Sequence, residues 1–323
     1  MAALTLLVLL VGSCMAPNLY DVQWLVVGTI ATLVAAWMAY GPIRLPLLAL
    51  GTYLVLRAVW AGFHVPSAPV SVVVLRQTGF LAALFFAARH VHHRVPDLLG
   101  WAVPLAAAST LWGYGPLYHN TSMNAALLVC ALPFACHPLT VVAVGAAVAF
   151  RQTGATGFLL LPLWVGLQRT FWGWWLWPAG IVLAGKLWVD RHMFHEGVRV
   201  KFWLASWAWF QEHVNQWVGA GLGSFLLYGP KIQEQFPETA VIRNGVPEKW
   251  RSLHCDPGQL LFEAGWIGLA LGAWVYFDAV WRADHATRVA LILAGVTGLV
   301  HFPMQAPLFA FFCVWLVVRA QEA

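Results

Sequence analysis

The stretch GQLLFEAGWIGLALGAWVYFDAVW, residues 258–281, settles the class of this chain. It exceeds the roughly 20 residues that cross the hydrocarbon core of a bilayer, and Glu263 and Asp278 are its only formal charges. On either side of it, apolar stretches of the same character fall at about 2–16, 22–41, 45–62, 70–88, 97–113, 122–137, 138–150, 153–167, 171–189, 288–302 and 305–319. Over 323 residues the chain is 61% hydrophobic and 10% charged, with a mean hydropathy of +0.72. Soluble domains run at roughly 45–50% apolar and about 25% charged. The 20 Trp point the same way, because a half-wet indole favours the membrane–water interface.

The expected fold is therefore all-α: a polytopic helical membrane protein, one integral membrane domain over residues 1–323 with about 12 transmembrane helices. Several stretches are shorter than a comfortable span, and the pair around Arg151 suits tilted, re-entrant or broken helices. A cytosolic enzyme, a secreted disulfide scaffold and a disordered tail all fit this composition poorly. The pI of about 9.1 reflects the excess of cytoplasmic Lys and Arg in membrane proteins and does not imply nucleic acid. The five Cys form no CxxC pair, and four of them lie in apolar stretches, where a thiol acts as a small hydrophobe.

Charge placement orients the chain. With the N-terminus inside, the short cytoplasmic connections and the tail hold Arg44, Arg89, Arg94, Arg169, Arg282, Arg288 and Arg319. The short external connections at 16–21, 62–69, 112–121 and 301–305 hold no Lys or Arg, and the Arg151 junction is the exception. Both termini are thus expected in the cytoplasm. The same topology puts one long segment, residues 190–257, outside; it carries seven basic and seven acidic residues up to Asp256. Pro237, Pro247 and Pro257, with a polar stretch near Lys231–Arg251, mark irregular structure. Before them, Trp203, Trp207, Phe210, Val214 and Trp217 recur at helical spacing. Two readings of that stripe stand: a short amphipathic helix on the outer interface, or a helix packed on the bundle.

A cation at the centre of a membrane helix costs roughly 2.5–3.5 kcal/mol on insertion scales, so each one needs a reason. Arg57, Arg76, Arg151 and Lys186 fall within expected spans or at their junctions, all toward the outer side, and Glu263 supplies an acid at matching depth. Long side chains that lift their charged ends to the interface explain Lys186 and Arg57 as well as a site does. Four such groups at one level form a cluster suited to a polyanion, and a lipid diphosphate in the outer leaflet is the natural candidate. Other features carry less. His90, His92 and His93 read as a polar cytoplasmic loop, and His192 and His195 lack the spacing of a zinc-protease helix, so no metal or other cofactor is expected. Gly219, Gly221 and Gly223 are followed by Ser224 where a dinucleotide fingerprint needs glycine, and no Walker motif occurs.

Three pieces then line up in order. Arg151-Gln-Thr-Gly154 comes first. Arg199-Val-Lys-Phe-Trp203 follows, ahead of Gly219-Ala-Gly-Leu-Gly-Ser-Phe225. Last come His254-Cys255 and, nine residues on, Gly265-Trp-Ile-Gly268. Over about residues 140–280 this set resembles the O-antigen ligase and polymerase superfamily, whose members show an outer Arg, an R-x3-W before a glycine-rich turn, and an H-[NSQ]-x9-G-x-x-G motif. Cys255 stands where those proteins carry Asn, Ser or Gln. The resemblance implies a GT-C-type glycosyltransferase of the bacterial inner membrane. Such an enzyme moves a glycan from a polyprenyl diphosphate onto a hydroxyl of a glycan, lipid or protein acceptor, without a metal. In that reading His254 is the general base, Arg151 and Arg199 stabilise the diphosphate, Arg76 and Arg57 are further contacts, and Glu263 orients His254 or pairs with an Arg. The competing expectation is a transporter or flippase whose Arg cluster binds an anionic substrate, although no internal repeat supports it.

Overall fold

The structure is a computed structural model that describes residues 44–64, 88, 95–111, 121–134, 138–150, 160, 163–164, 167, 197–243, 246–250, 252–301 and 303–322. Arg76, Arg151 and Lys186 lie outside the described residues, as do His90, His92, His93, His192 and His195.

The described chain is helical. The α-helices are α1 (Leu45–His64), α2 (Val95–Leu111), α3 (Thr121–Ala131), α4 (Pro138–Phe150), α5 (197–213), α6 (Phe225–Gln235), α7 (Asp256–Arg282), α8 (His285–Val300) and α9 (Pro307–Glu322). The one departure is a small antiparallel hairpin, β1 (Val241–Arg243) with β2 (Val246–Glu248), in which Ile242 faces Pro247. Short 3-10 turns follow α3 and precede β1 and α9. Among the described residues, one helix, Asp256–Arg282, is long and apolar enough to cross a membrane, and shorter apolar helices accompany it. The expected count of about 12 spans therefore rests on the sequence and not on the described helices.

Two hydrophobic clusters organise these helices. The larger joins α2, α3, α4, α8, α9 and the last third of α7. Its interior is lined with small residues: Ala107, Ala125, Ala126, Ala290 and Ala310 are fully buried, which lets helix backbones approach closely. Aromatic rings fill the wider gaps, Phe134 meeting Trp315 edge-on with centroids 5.0 Å apart. Large apolar side chains sit outside instead: Leu45, Leu105, Leu139, Phe277 and Trp281 are all exposed. The smaller cluster joins α5, α6 and the start of α7 around Phe202, Phe210, Phe225 and Phe262.

One end of the larger bundle collects basic residues. Arg44, just before α1, donates to Gln321 O at the end of α9 at 3.1 Å. Arg319 of α9 pairs with Asp284 at 3.0 Å, whose carboxylate also caps α8 by accepting from Thr287 N at 2.8 Å. Arg282 pairs with Asp278 at 2.8 Å, and Arg288 donates to the last carbonyls of α7, including Val280 O at 3.0 Å. Cations at helix C-termini satisfy carbonyls that have no partner within the helix. Helix α7 runs to this end and α8 runs back from it, so the start of α7 and the end of α8 meet at the opposite end, where Asp256 accepts from Met304 N.

The segment 190–257 departs from its expected form. Lys231 to Gln235 belong to α6 rather than to irregular chain. The stripe from Trp203 to Trp217 is divided, because α5 stops at 213 and its buried face is Phe202, Ala205, Trp209 and Phe210. Trp203 is half-buried, whereas Trp207 and Trp217 are exposed. Helix α5 is thus packed on its neighbours through a face one residue away from the expected stripe, since aromatic stacking such as Trp209 on Phe262 (5.7 Å) sets its rotation.

Candidate functional site

The site is built on a break in α7. Gly265 takes φ +69° and ψ −171°, a left-handed conformation that glycine adopts without a steric cost. A break strands the carbonyls before it and the amides after it, and each stranded buried group is costly. Here the glycine-rich turn after α5 answers them. Ala220 N and Gly221 N donate to Phe262 O and Glu263 O, both at 2.9 Å, while Trp266 N and Ile267 N donate to Gln216 O (2.9 Å) and Trp217 O (3.1 Å). From α1, the Tyr53 hydroxyl donates to Ala264 O at 2.6 Å. Gly219, Gly221 and Gly223 all have positive φ, and a Cβ at Gly219 would stand 2.5 Å from the carbonyl carbon of Glu263. The glycines serve the approach of one backbone to another.

Glu263 and Arg57 secure that turn. The Glu263 carboxylate accepts from Gly223 N at 2.9 Å and Phe225 N at 3.4 Å, and from Gln259 Nε2 at 3.1 Å. Ser224, at the cap position of α6, makes no capping bond of its own, so Glu263 takes that place from another helix. Arg57 is buried and donates from Nη2 to Gly219 O at 2.9 Å. The hydrogen bonds shown for both residues go to the protein's own groups, all of them on the glycine turn or on Gln259.

His254 sits immediately before α7 with φ +54°, the one non-glycine residue with positive φ among those described. Such a backbone costs about 1–3 kcal/mol and persists where surrounding contacts hold it. The Trp203 indole donates to Leu253 O at 2.6 Å, and Gln259 Oε1 accepts from Leu253 N at 3.3 Å. The His254 ring packs edge-on against Trp250, centroids 5.0 Å apart. Trp250 is fixed in turn by Gln233 Oε1 on its amide (2.8 Å), by Thr239 O on its indole (3.2 Å) and by stacking on Phe202 (4.8 Å).

Arg199 precedes Trp203 by four residues, so both lie on one face of α5. Trp203 docks on the peptide before His254, and Arg199 acts electrostatically on His254 and on His301. Burial, the Arg199 guanidinium and His301 push His254 down to about 3. Burial and Arg199 push His301 down to about 4. Both imidazoles are therefore neutral near pH 7. Burial raises the Cys255 thiol, which keeps it protonated and poorly nucleophilic.

Two expected site residues, Arg199 and His254, are thus brought together. Arg57 and Glu263 lie together at the adjoining glycine turn, and Arg76 and Arg151 lie outside the described residues. His301 and Gln259 were not anticipated. Nothing in the local pattern around His301 marks it, since it follows an apolar stretch and its neighbours in space are distant in sequence. Gln259 had a weak signal, as it is spaced i, i+4 with Glu263 on the same helix. Among the described residues, no three His, Cys, Asp or Glu side chains converge as metal ligands. No family model and no curated protein matches this chain.

Proposed function

We infer that this chain is a multi-pass membrane glycosyltransferase of the O-antigen ligase and polymerase kind. It transfers a glycan from a polyprenyl diphosphate to an acceptor hydroxyl at the outer face of the bacterial inner membrane. The observation that carries the reading is the convergence of Arg199 and His254, joined through the Trp203–Leu253 hydrogen bond. A membrane setting is supported by the small-residue interior and the large apolar side chains on the outside of the bundle. Arg44, Arg282, Arg288 and Arg319 gather at the end opposite the site, which supports cytoplasmic termini and an external site.

In this reaction the acceptor hydroxyl oxygen bonds to the anomeric carbon, and the bond from that carbon to the diphosphate oxygen breaks, its electron pair leaving with the diphosphate. His254 takes the hydroxyl proton as attack proceeds. Its low pKa keeps the ring neutral and able to accept. An anionic diphosphate beside Arg199 offsets the guanidinium charge and returns the imidazole toward ordinary basicity. Arg199 stabilises the charge on the leaving diphosphate. Glu263, Gln259 and Arg57 hold the turn and the His254 peptide in register.

The test is incubation of the purified protein with a polyprenyl-diphosphate glycan and hydroxyl acceptors. His254→Ala is expected to lose glycan transfer by at least about 100-fold while inserting and expressing normally. Retained transfer removes His254 as the base. Movement of the lipid-linked donor across proteoliposomes with no covalent product reverses the reading in favour of transport.

A further inference from the structure

Two hydrogen bonds fix the residue before His254: the Trp203 indole donates to Leu253 O, and Leu253 N donates to Gln259 Oε1. They leave the imidazole able to turn, because the torsion joining a flat ring to its sp3 carbon has broad minima. A general base must bring its accepting nitrogen to about 2.6–3.2 Å from the donor of the proton, so the ring needs a support of its own. The Trp250 indole meets it edge-on, with centroids 5.0 Å apart. Three elements in turn hold the half-buried Trp250. Its indole donates to Thr239 O of the 237–239 turn at 3.2 Å, which closes the base of the β1–β2 hairpin. Its ring stacks on Phe202 of α5 at 4.8 Å. From α6, Gln233 Oε1 accepts from its amide at 2.8 Å, and Gly229 lies so close that any Cβ there would collide with Trp250 O. Glycine weakens a helix interior relative to alanine, and here it admits the Trp250 backbone.

We propose that Trp250 is a positioning residue for His254: an indole fixed by α5, α6 and the 237–239 turn that limits rotation of the imidazole and keeps its accepting nitrogen toward the acceptor hydroxyl. This rests on the reading of His254 as the base, whereas the contact between the two rings is a property of the folded chain. Trp250 touches the base and not the reacting atoms, so its loss slows proton transfer and leaves donor binding intact. Trp250→Leu removes the ring. Trp250→Phe keeps an aromatic ring and gives up the indole donor. Gly229→Ala touches neither ring but pushes the Trp250 carbonyl aside.

The experiment joins transfer kinetics to NMR of the full chain labelled with 13C-histidine in detergent, with His254→Asn assigning the signal. An indole at this distance displaces the His254 ring signals through its ring current. Trp250→Leu is expected to abolish that displacement and to lower kcat about 10- to 100-fold, the scale of a small misplacement at a reacting group, with KM for a polyprenyl-diphosphate glycan unchanged. Trp250→Phe should recover most of the lost kcat. Gly229→Ala should shift the His254 signals and lower kcat, again at constant KM. A contribution to stability alone would lower the melting temperature without this split between kcat and KM. Wild-type kcat in a folded Trp250→Leu variant, or a fall in kcat with the His254 signals unmoved, overturns the proposal. Should the leucine variant fail to fold, Gly229→Ala is judged by the same two readouts. Transfer retained in His254→Ala is a different failure: it removes the base and the positioning role with it, while the response of the His254 signals to residue 250 still reports the ring contact.

Discussion

The indole of Trp203 donates to the backbone carbonyl of Leu253 at 2.6 Å, and this bond joins the helix that carries Arg199 to the residue before His254. It explains in physical terms why an arginine and a tryptophan four residues apart go together: one side chain docks the helix and the other, a turn away, faces the docked site. Trp203→Phe keeps the ring and removes the donor. The expected loss is about 1–3 kcal/mol of stability, the cost of leaving a buried carbonyl without its partner, with a fall in transfer larger than that in Arg199-independent donor binding. Thermal unfolding and transfer assays on the same preparation measure both, and unchanged transfer would deny the bond a positioning role.

The break at Gly265 is the second point of sensitivity. A Cβ at Gly265 would collide with the backbone of Trp217, at a φ of +69° that other residues rarely adopt. The left-handed conformation alone costs roughly 1–2 kcal/mol, and the collision is with backbone that is itself hydrogen-bonded. Gly265→Ala is expected to destabilise by more than that figure and to expose the 216–221 turn. Limited proteolysis within that turn reports it.

Glu263 separates a structural from a substrate-contacting role. Glu263→Ala leaves the Gly223 and Phe225 amides without their acceptor, at about 1–3 kcal/mol for each buried group left unsatisfied. Glu263→Gln keeps one acceptor oxygen and should recover much of that loss. Transfer and stability are expected to fall together across the two variants. A Gln variant of full stability with a raised KM for the donor would assign Glu263 to the substrate instead.

Acid should loosen the site. In the folded chain His254 and His301 take protons at about 3 and about 4, against about 6.5 when unfolded. Below about pH 6.5 the unfolded chain binds more protons than the folded one, so stability falls with pH through that window and levels off above it. Asp284 works in a lower window. Burial raises its carboxyl, but hydrogen bonds from Thr287 and the charge of Arg319 prevail and hold it below its ordinary value. Its contribution is full above the ordinary carboxylate range and is lost as pH falls below it. The Tm in detergent should therefore drop between pH 7 and pH 5, and a His254→Asn, His301→Asn double variant should flatten that drop. An equally steep decline in the double variant would place the acid sensitivity elsewhere.

Helical class was readable without coordinates because it depends on local composition. The stretches 45–62, 97–113, 258–281 and 288–302 coincide within a few residues with α1, α2, α7 and α8. The hairpin Val241–Glu248 falls in a stretch whose prolines and polar residues suggest irregular chain, although the Asn-Gly pair between its strands is a hairpin signal in its own right. The rotation of α5 was not readable, since the stripe through Trp203, Trp207 and Trp217 and the face through Phe202 and Phe210 are both apolar. Choosing between them requires the position of Phe225 and Phe262.

Apolar runs and the motif pieces around Arg199, the glycines and His254 are properties of consecutive residues, so the amino-acid order alone suffices to pick them out. Their conversion into a site is not local. Glu263 caps a helix other than its own, Gly219 is glycine because α7 passes against it, and the start of α7 is tied to the turn after α8 because Asp256 holds Met304. Each of these depends on where a distant backbone comes to rest. Packing sets that position, and no pattern of neighbouring residues encodes it.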